Sequence, residues 1–376
     1  MELKRNSQSK LAIQSKEQGR ALYALALIVL IAVVSYAYAS TTHLVITTDE
    51  LVFAKISQSL PSYSSTANWL FDNEEFLAQH EGFCVNEQDR ITTINAYTAQ
   101  VWLHPPLAEY LVYPVLKIAS NPVRDIRYLR IIPFLLTIIT AVLLSDIIRR
   151  KWGYAVAALS IIPMVASQWL LVAGITFYND CFMWLFFALS MWLIEVKPKG
   201  KWQYLTATAM VLSKLNAVVL LIPLLVLDYL KNKKVNYKLA STTFAIIVFF
   251  VYQSIVASDA LYQVHHWMLL REFSSSFITT NVLPNIGVYA LDWLLPLYIG
   301  LFLMVTYKAI KNREVGNLPY ILFCLITFVF GFGWGFFGYQ VFPITYSGML
   351  MMAIIVSRLL DKDRGKRRGE EERRCP

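Results

Sequence analysis

Residues 202–230 read WQYLTATAMVLSKLNAVVLLIPLLVLDYL. The stretch is apolar, longer than the roughly 20 residues that one membrane crossing needs, and interrupted at Ser213-Lys214-Leu215-Asn216. Polar and charged residues are expensive at membrane depth, so the interruption reads as a break between two short helices that meet part-way through the bilayer. Such a hairpin returns the chain to the side it left. That reading sets the side on which every later loop falls.

Working outward, the composition agrees with a membrane protein. The chain is 57% hydrophobic and only 16% charged over 376 residues, with a mean hydropathy of +0.49, so it needs lipid to cover it and is not an ordinary soluble domain. Apolar runs near full-span length lie at about 21–40, 128–148, 153–172, 179–196, 239–256, 287–307, 318–335 and 343–360, and each can satisfy its own backbone as a helix. Together with the hairpin they predict an all-α, polytopic fold of about ten transmembrane helices. The run from Ala21 to Ser40 is as long as a full span and reads as a retained anchor, not a cleaved signal.

The basic residues test that count. A formal charge of +9 could point to nucleic acid, but the Lys and Arg fall in short clusters between apolar runs, where they orient loops toward the cytoplasm. With Lys4, Arg5, Lys10, Lys16 and Arg20 inside, the clusters Arg149 to Lys151, Lys197 to Lys201, Lys231 to Lys238, Lys308 to Arg313 and the tail DKDRGKRRGEEERR also fall inside. This holds only if 41–127 is wholly external. The segment 105–120, PPLAEYLVYPVLKIAS, must then be an amphipathic helix on the outer surface, because counting it as a span would invert every later cluster.

The expected organisation follows. Residues 1–20 are a cytoplasmic basic N-terminus, 21–256 a membrane module with its external loop at 41–127, and 257–360 a second external loop followed by three more spans. Residues 361–376 form a charged cytoplasmic tail whose composition predicts disorder. No internal repeat is visible. The four cysteines, Cys84, Cys181, Cys324 and Cys375, have no CxxC spacing and suggest neither a zinc site nor a disulfide framework.

Ionisable groups near hydrocarbon are functional candidates by default, and here they gather on the expected external side. Asp49 and Glu50 follow the first span in ITTDELVFAK at 46–55. Arg130 opens the second span, Asp180 the fourth, Lys214 marks the tip of the hairpin, and His104 stands in WLHPPL. Two acids can supply a general base for a hydroxyl or amine, while Arg130 and Lys214 can hold a phosphate and stabilise the charge it gains as a leaving group. A lipid-linked phosphosugar suits both halves.

Each residue also has a plainer reading. The acid pair could be solvated surface, Arg130 an interfacial side chain reaching for water, Asp180 a helix cap, and His104 with its prolines a helix start. Lys214 resists this treatment because it stands 13 residues after Lys201 and 17 before Lys231, the nearest basic residues on either flank. The adjacent His265 and His266 lack the spacing of a helical metal site and read as loop or substrate contacts, with Arg271 nearby.

In order, these motifs resemble the GT-C integral-membrane glycosyltransferases, most nearly the branch of dolichyl-phosphate-mannose protein O-mannosyltransferases and lipid A aminoarabinose transferases. TTDELVFAKI at 47–56 is similar to the acidic pair after the first helix, and HPPLAEYL at 104–111 to the (H/K)PPL element on an external juxtamembrane helix. RYLRIIPFLLTIITAVLL at 127–144, YNDCFMWLFFAL at 178–189 and LSKLNAVVLLIP at 212–223 resemble the arginine, aspartate and lysine positions that follow. The resemblance covers roughly 21–256. It implies transfer of a sugar from a polyprenyl phosphate, with inversion, to an acceptor on the external or luminal face.

By the same resemblance Asp49 is the general base and Glu50 its support. His104, Arg130 and Lys214 contact the donor phosphate, and Asp180 lines the cavity. Where the aminoarabinose transferases carry an acid before Lys-Pro-Pro, this chain has Leu103 and His104, so the motif does not support a metal site of that kind and no cofactor is expected with certainty. The large soluble insertion of the O-mannosyltransferases is also missing from the sequence, which leaves the acceptor open among protein, glycan and lipid and favours a prokaryotic plasma membrane over the endoplasmic reticulum.

Other classes remain in view. A lipid or sugar-phosphate transporter would use the same charges as a path, but it should show duplicated halves and polar residues through both leaflets. A non-catalytic accessory subunit would keep the fold without the chemistry. A membrane acyltransferase would use His265 or His266 as its base.

Overall fold

The computed structural model of the chain describes residues 2–41, 50, 53–54, 57, 60, 107–119, 122–166, 177, 180–198, 200–256, 294–311, 315–333 and 343–374. Among them the architecture is all helical, with no strand. In chain order the principal helices are α1 (Glu2–Thr41), α2 (Leu107–Ile118), α3 (Pro122–Leu129), α4 (Ile131–Trp152), α5 (Tyr154–Ser160) and α6 (Asp180–Val196). They continue with α7 (Trp202–Ser213), α8 (Leu221–Asn232), α9 (Phe244–Val256), α10 (Leu294–Lys311), α11 (Leu318–Gly333) and α12 (Pro343–Arg374).

Every apolar run read from the sequence contains one of these helices. By length and composition two are sufficient to cross a bilayer, Glu17–Ser40 within α1 and Arg127–Trp152 around α4, while Tyr154–Val165, Tyr237–Phe249, Val315–Thr327 and Thr345–Leu360 are shorter apolar helices. The count of ten spans therefore reaches further than these two and is carried below as a proposal.

The segment that decided the reading does break. Helix α7 ends at Ser213, Lys214 is extended (φ −156°, ψ 138°), and a 3-10 turn over Leu215–Leu220 leads into α8. An extended residue cannot continue the i to i+4 ladder, so the polar interruption becomes a structural one. At the far end of α8 the chain turns at Lys233 in the left-handed region (φ 56°), and Asn236 accepts the Leu239 N–H at 3.2 Å to start the next turn of helix.

Helix α2 is 12 residues long, about 18 Å at 1.5 Å per residue and well short of a bilayer core of about 30 Å. It carries Pro114 and buries Ala108, Glu109, Val112 and Leu116 along one side. A short, one-sided helix is what a surface position requires. At the C-terminal end α12 runs on to Arg374, where composition predicts a disordered tail. The sequence offers a reason, since Lys366, Arg367, Arg368 and Glu370 each have an oppositely charged residue four positions on, at Glu370, Glu371, Glu372 and Arg374.

Packing follows from these faces. Helix α6 lies against both α7 and α4, α1 against α5, α8 against α11, and α12 against α11 and α5. The main core runs through Leu144, Trp184, Phe187, Met191, Met210, Leu224, Phe323, Tyr346 and Leu350, with Phe187 stacked on Phe323 at 4.6 Å between centroids. A smaller cluster of Phe53, Ala54, Ala108, Val112, Leu116, Leu129, Phe177 and Phe182 sits at one end, joining α2 to the residues after α1 and to the start of α6.

The other end of the bundle is tied by charge. Asp146 accepts from Arg149 Nε at 2.8 Å, Arg150 Nε at 2.6 Å and the Trp192 indole at 2.8 Å. Glu195 at the end of α6 takes both Lys231 from α8 and the Tyr320 hydroxyl from α11, and Lys151 lies 4.3 Å from the Tyr320 ring centroid. Arg20 of α1 and Arg149 of α4 flank the Tyr154 ring. Residues from two of the basic clusters, Arg149 to Lys151 and Lys231, and Arg20 from the N-terminal segment thus converge at a single end, the one opposite Arg130, Asp180 and Lys214.

Candidate functional site

The polar end begins with Glu50. Its carboxylate is fully buried and accepts Arg130 Nε at 2.9 Å on Oε1, Arg130 Nη2 at 2.7 Å on Oε2, and the Phe177 backbone N–H at 2.9 Å on Oε1. Arg130 is 4% exposed and sits at the junction of α3 and α4. A planar guanidinium against a carboxylate is the strongest form of this contact, because two parallel hydrogen bonds share the charge. The rings of Phe53 and Phe177, 5.2 Å apart, lie beside it in the small cluster.

Three residues past Phe177, Asp180 opens α6 and meets Lys214. The Lys214 ammonium donates to Asp180 Oδ1 at 2.8 Å and Oδ2 at 2.6 Å, with side-chain exposures of 7% for the lysine and 16% for the aspartate. Lys214 is the first residue after α7 and leaves the helix in an extended conformation, at the break where it meets the start of α6. Two carboxylate–cation pairs therefore stand at one end of the bundle, linked through residues 177–180.

Of the residues singled out from the sequence, Glu50, Arg130, Asp180 and Lys214 are brought to this end. Asp49, His104, His265, His266 and Arg271 lie outside the described residues. The sequence reading treats the acids and the cations as separate groups, and the structure joins them: Glu50 is the partner of Arg130, and Asp180 of Lys214. Nothing in the local sequence encodes these partnerships, which link positions 80 and 34 residues apart.

The sequence reading also passes over Glu109, in HPPLAEYL. This acid is 6% exposed and lies on the inner side of α2 next to Ala108, and its Oε2 has no hydrogen-bond partner among the described residues. Burial pushes the carboxyl up to about 8, offset only in part by its own backbone N–H. The signal available in the sequence is an acid on the same side of a short helix as Ala108, Val112 and Leu116.

Residues 103–262 match a family model described as dolichyl-phosphate-mannose-protein mannosyltransferase. The matched part is under half of the chain and takes in His104, Glu109, Arg130, Asp180 and Lys214, but stops short of the acid pair and of His265. No curated protein matches the chain.

Proposed function

We propose, from the GT-C superfamily membership that the match over residues 103–262 supports, that this chain moves a sugar from a polyprenyl phosphate to an acceptor at the external or luminal membrane face. The donor lipid is dolichyl or undecaprenyl phosphate, and the acceptor is a glycan, a lipid or a protein. The observation that carries the reading is the position of Lys214. A buried ammonium is held against Asp180 at a helix break, inside the matched segment and at the same end as the Arg130–Glu50 pair.

In this reading the acceptor hydroxyl or amine gives its proton to Asp49 as its oxygen or nitrogen bonds to the anomeric carbon. The bond from that carbon to the phosphate oxygen breaks, and the polyprenyl phosphate leaves with the electron pair. Lys214, with Arg130 and His104, meets the charge that collects on the phosphate. Attack from the face opposite the leaving group inverts the anomeric centre. Glu50, locked by Arg130 and the Phe177 N–H, supports the adjacent Asp49, and Asp180 lines the cavity. His265, His266 and Arg271 contact substrate from the second external loop.

The supporting topology has ten spans, with both termini and the basic clusters cytoplasmic and the carboxylate–cation pairs external, in a prokaryotic plasma membrane. The experiment compares wild type with Asp49→Asn in nanodiscs carrying polyprenyl-phosphate sugars and membrane extract as acceptor. Sugar transfer from one donor that Asp49→Asn abolishes, while donor binding survives, supports the reading. Donor binding without transfer by the wild type moves an accessory or transport role ahead.

A further inference from the structure

The first turn of α2 places an acid where nothing described answers it. Glu109 is 94% buried by its 6% exposure, and its Oε2 has no partner among the described residues. A buried carboxyl oxygen without a hydrogen bond is unfavourable, and native proteins retain such groups chiefly where a ligand, a water or a reaction uses them.

Its position argues for a ligand. Ala108 and Val112 pack with Phe53, Phe177 and Phe182. Phe177 donates its N–H to Glu50, and Phe182 follows Asp180 by two residues. Helix α2 is therefore packed on the segments that carry both carboxylate–cation pairs, and it touches α7, which ends at Lys214. Glu109 is in the helical turn that follows directly on His104-Pro105-Pro106.

We propose that Glu109 is a substrate-binding residue whose carboxyl hydrogen-bonds a ring hydroxyl of the transferred sugar. This rests on the glycosyltransferase reading above. The chemistry selects a hydroxyl over the phosphate. No cation stands beside Glu109 among the described residues, and an anion there would find no counter-charge. Burial holds the carboxyl in its neutral form up to about pH 8, and a neutral acid both donates and accepts, as a hydroxyl does.

The test is a set of couplings. Wild type, Glu109→Gln and Glu109→Ala are assayed for kcat/KM with polyprenyl phosphates of mannose, glucose, galactose and N-acetylglucosamine, and then with monodeoxy analogues of the sugar that is used. Glu109→Gln still donates and accepts and keeps activity within about threefold of wild type. Glu109→Ala loses about tenfold or more on the parent sugar, yet loses nothing further on the one analogue that lacks the contacted hydroxyl. An equal loss on the parent and on every analogue overturns the proposal while leaving the glycosyltransferase reading intact. If wild type uses none of the donors, both readings fall together.

Discussion

Arg130 and Glu50 form a bidentate pair, 80 residues apart in sequence, with both side chains removed from water. Glu50 also accepts a backbone N–H from Phe177, so the segment after α1, the start of α4 and the approach to α6 are joined at one carboxylate. A pair this enclosed holds geometry, because each charge has replaced its hydration with fixed partners and cannot leave without another.

Breaking that pair should destabilise the protein. Glu50→Ala leaves a buried guanidinium unanswered by its carboxylate, which costs about 3–5 kcal/mol for a buried ion pair. Thermal unfolding in detergent should show a large drop for Glu50→Ala and for Arg130→Ala. The double variant Glu50→Leu/Arg130→Met should recover a substantial part of it. If all three variants melt like wild type, the pair does not organise this end of the bundle.

Lys214 and Asp180 should behave in opposite senses toward the donor. Lys214→Ala removes a cation from the phosphate and should weaken polyprenyl-phosphate binding by about tenfold, more than it weakens acceptor binding. Asp180→Asn removes the anion that competes with the phosphate for the ammonium and should tighten donor binding severalfold. Titration of a fluorescent polyprenyl phosphate in nanodiscs reads both, and equal losses in the two variants would reduce the pair to a structural tie.

Glu109 should give the folded state a pH dependence. Its carboxyl is raised from 4.5 to about 8 in the folded protein, so between those values the folded state holds a proton that the unfolded chain has released. Stability contributed by the neutral acid is therefore complete below about pH 4.5 and is lost as pH rises to about 8, with an upper bound of about 5 kcal/mol. Melting temperatures measured from pH 5 to 8.5 should fall more steeply for wild type than for Glu109→Gln. Parallel curves would mean that Glu109 titrates near its ordinary value.

The surface position of α2 can be checked by labelling. Single cysteines at Gln100 and Ala119, on either flank of α2 and in a background without Cys84, Cys181, Cys324 and Cys375, should react with a membrane-impermeant maleimide from the same side. Reaction from opposite sides would place α2 across the bilayer and invert the clusters after it.

The helices and the break at Lys214 were legible because they depend on local properties, namely run length and the position of polar residues within a run. A short helix within 105–120 was legible too, because its apolar and polar residues alternate on a helical period. The pairings were not legible. Glu50 reads as one of two adjacent acids and Arg130 as one arginine at a helix start, and only the fold joins the start of α4 to the segment after α1. Glu109 escaped because an acid in an otherwise apolar helix reads as surface until burial is known. The helical tail beyond Leu360 differs from expectation because composition ignores the spacing of opposite charges.

Helix α4 has Arg130 at its head and Arg149 to Lys151 in its last turn, a separation of about 30 Å at 1.5 Å per residue. With the length and composition to cross a bilayer, it would work there as a ruler. Lipids with shorter or longer acyl chains change the thickness to be matched, and a helix anchored at both ends answers by tilting. Since α4 packs directly on α6, a tilt of α4 would move Arg130 relative to Asp180 and shift one carboxylate–cation pair against the other. On the proposed function, the acyl-chain composition of the host membrane would then act on sugar transfer through distance alone.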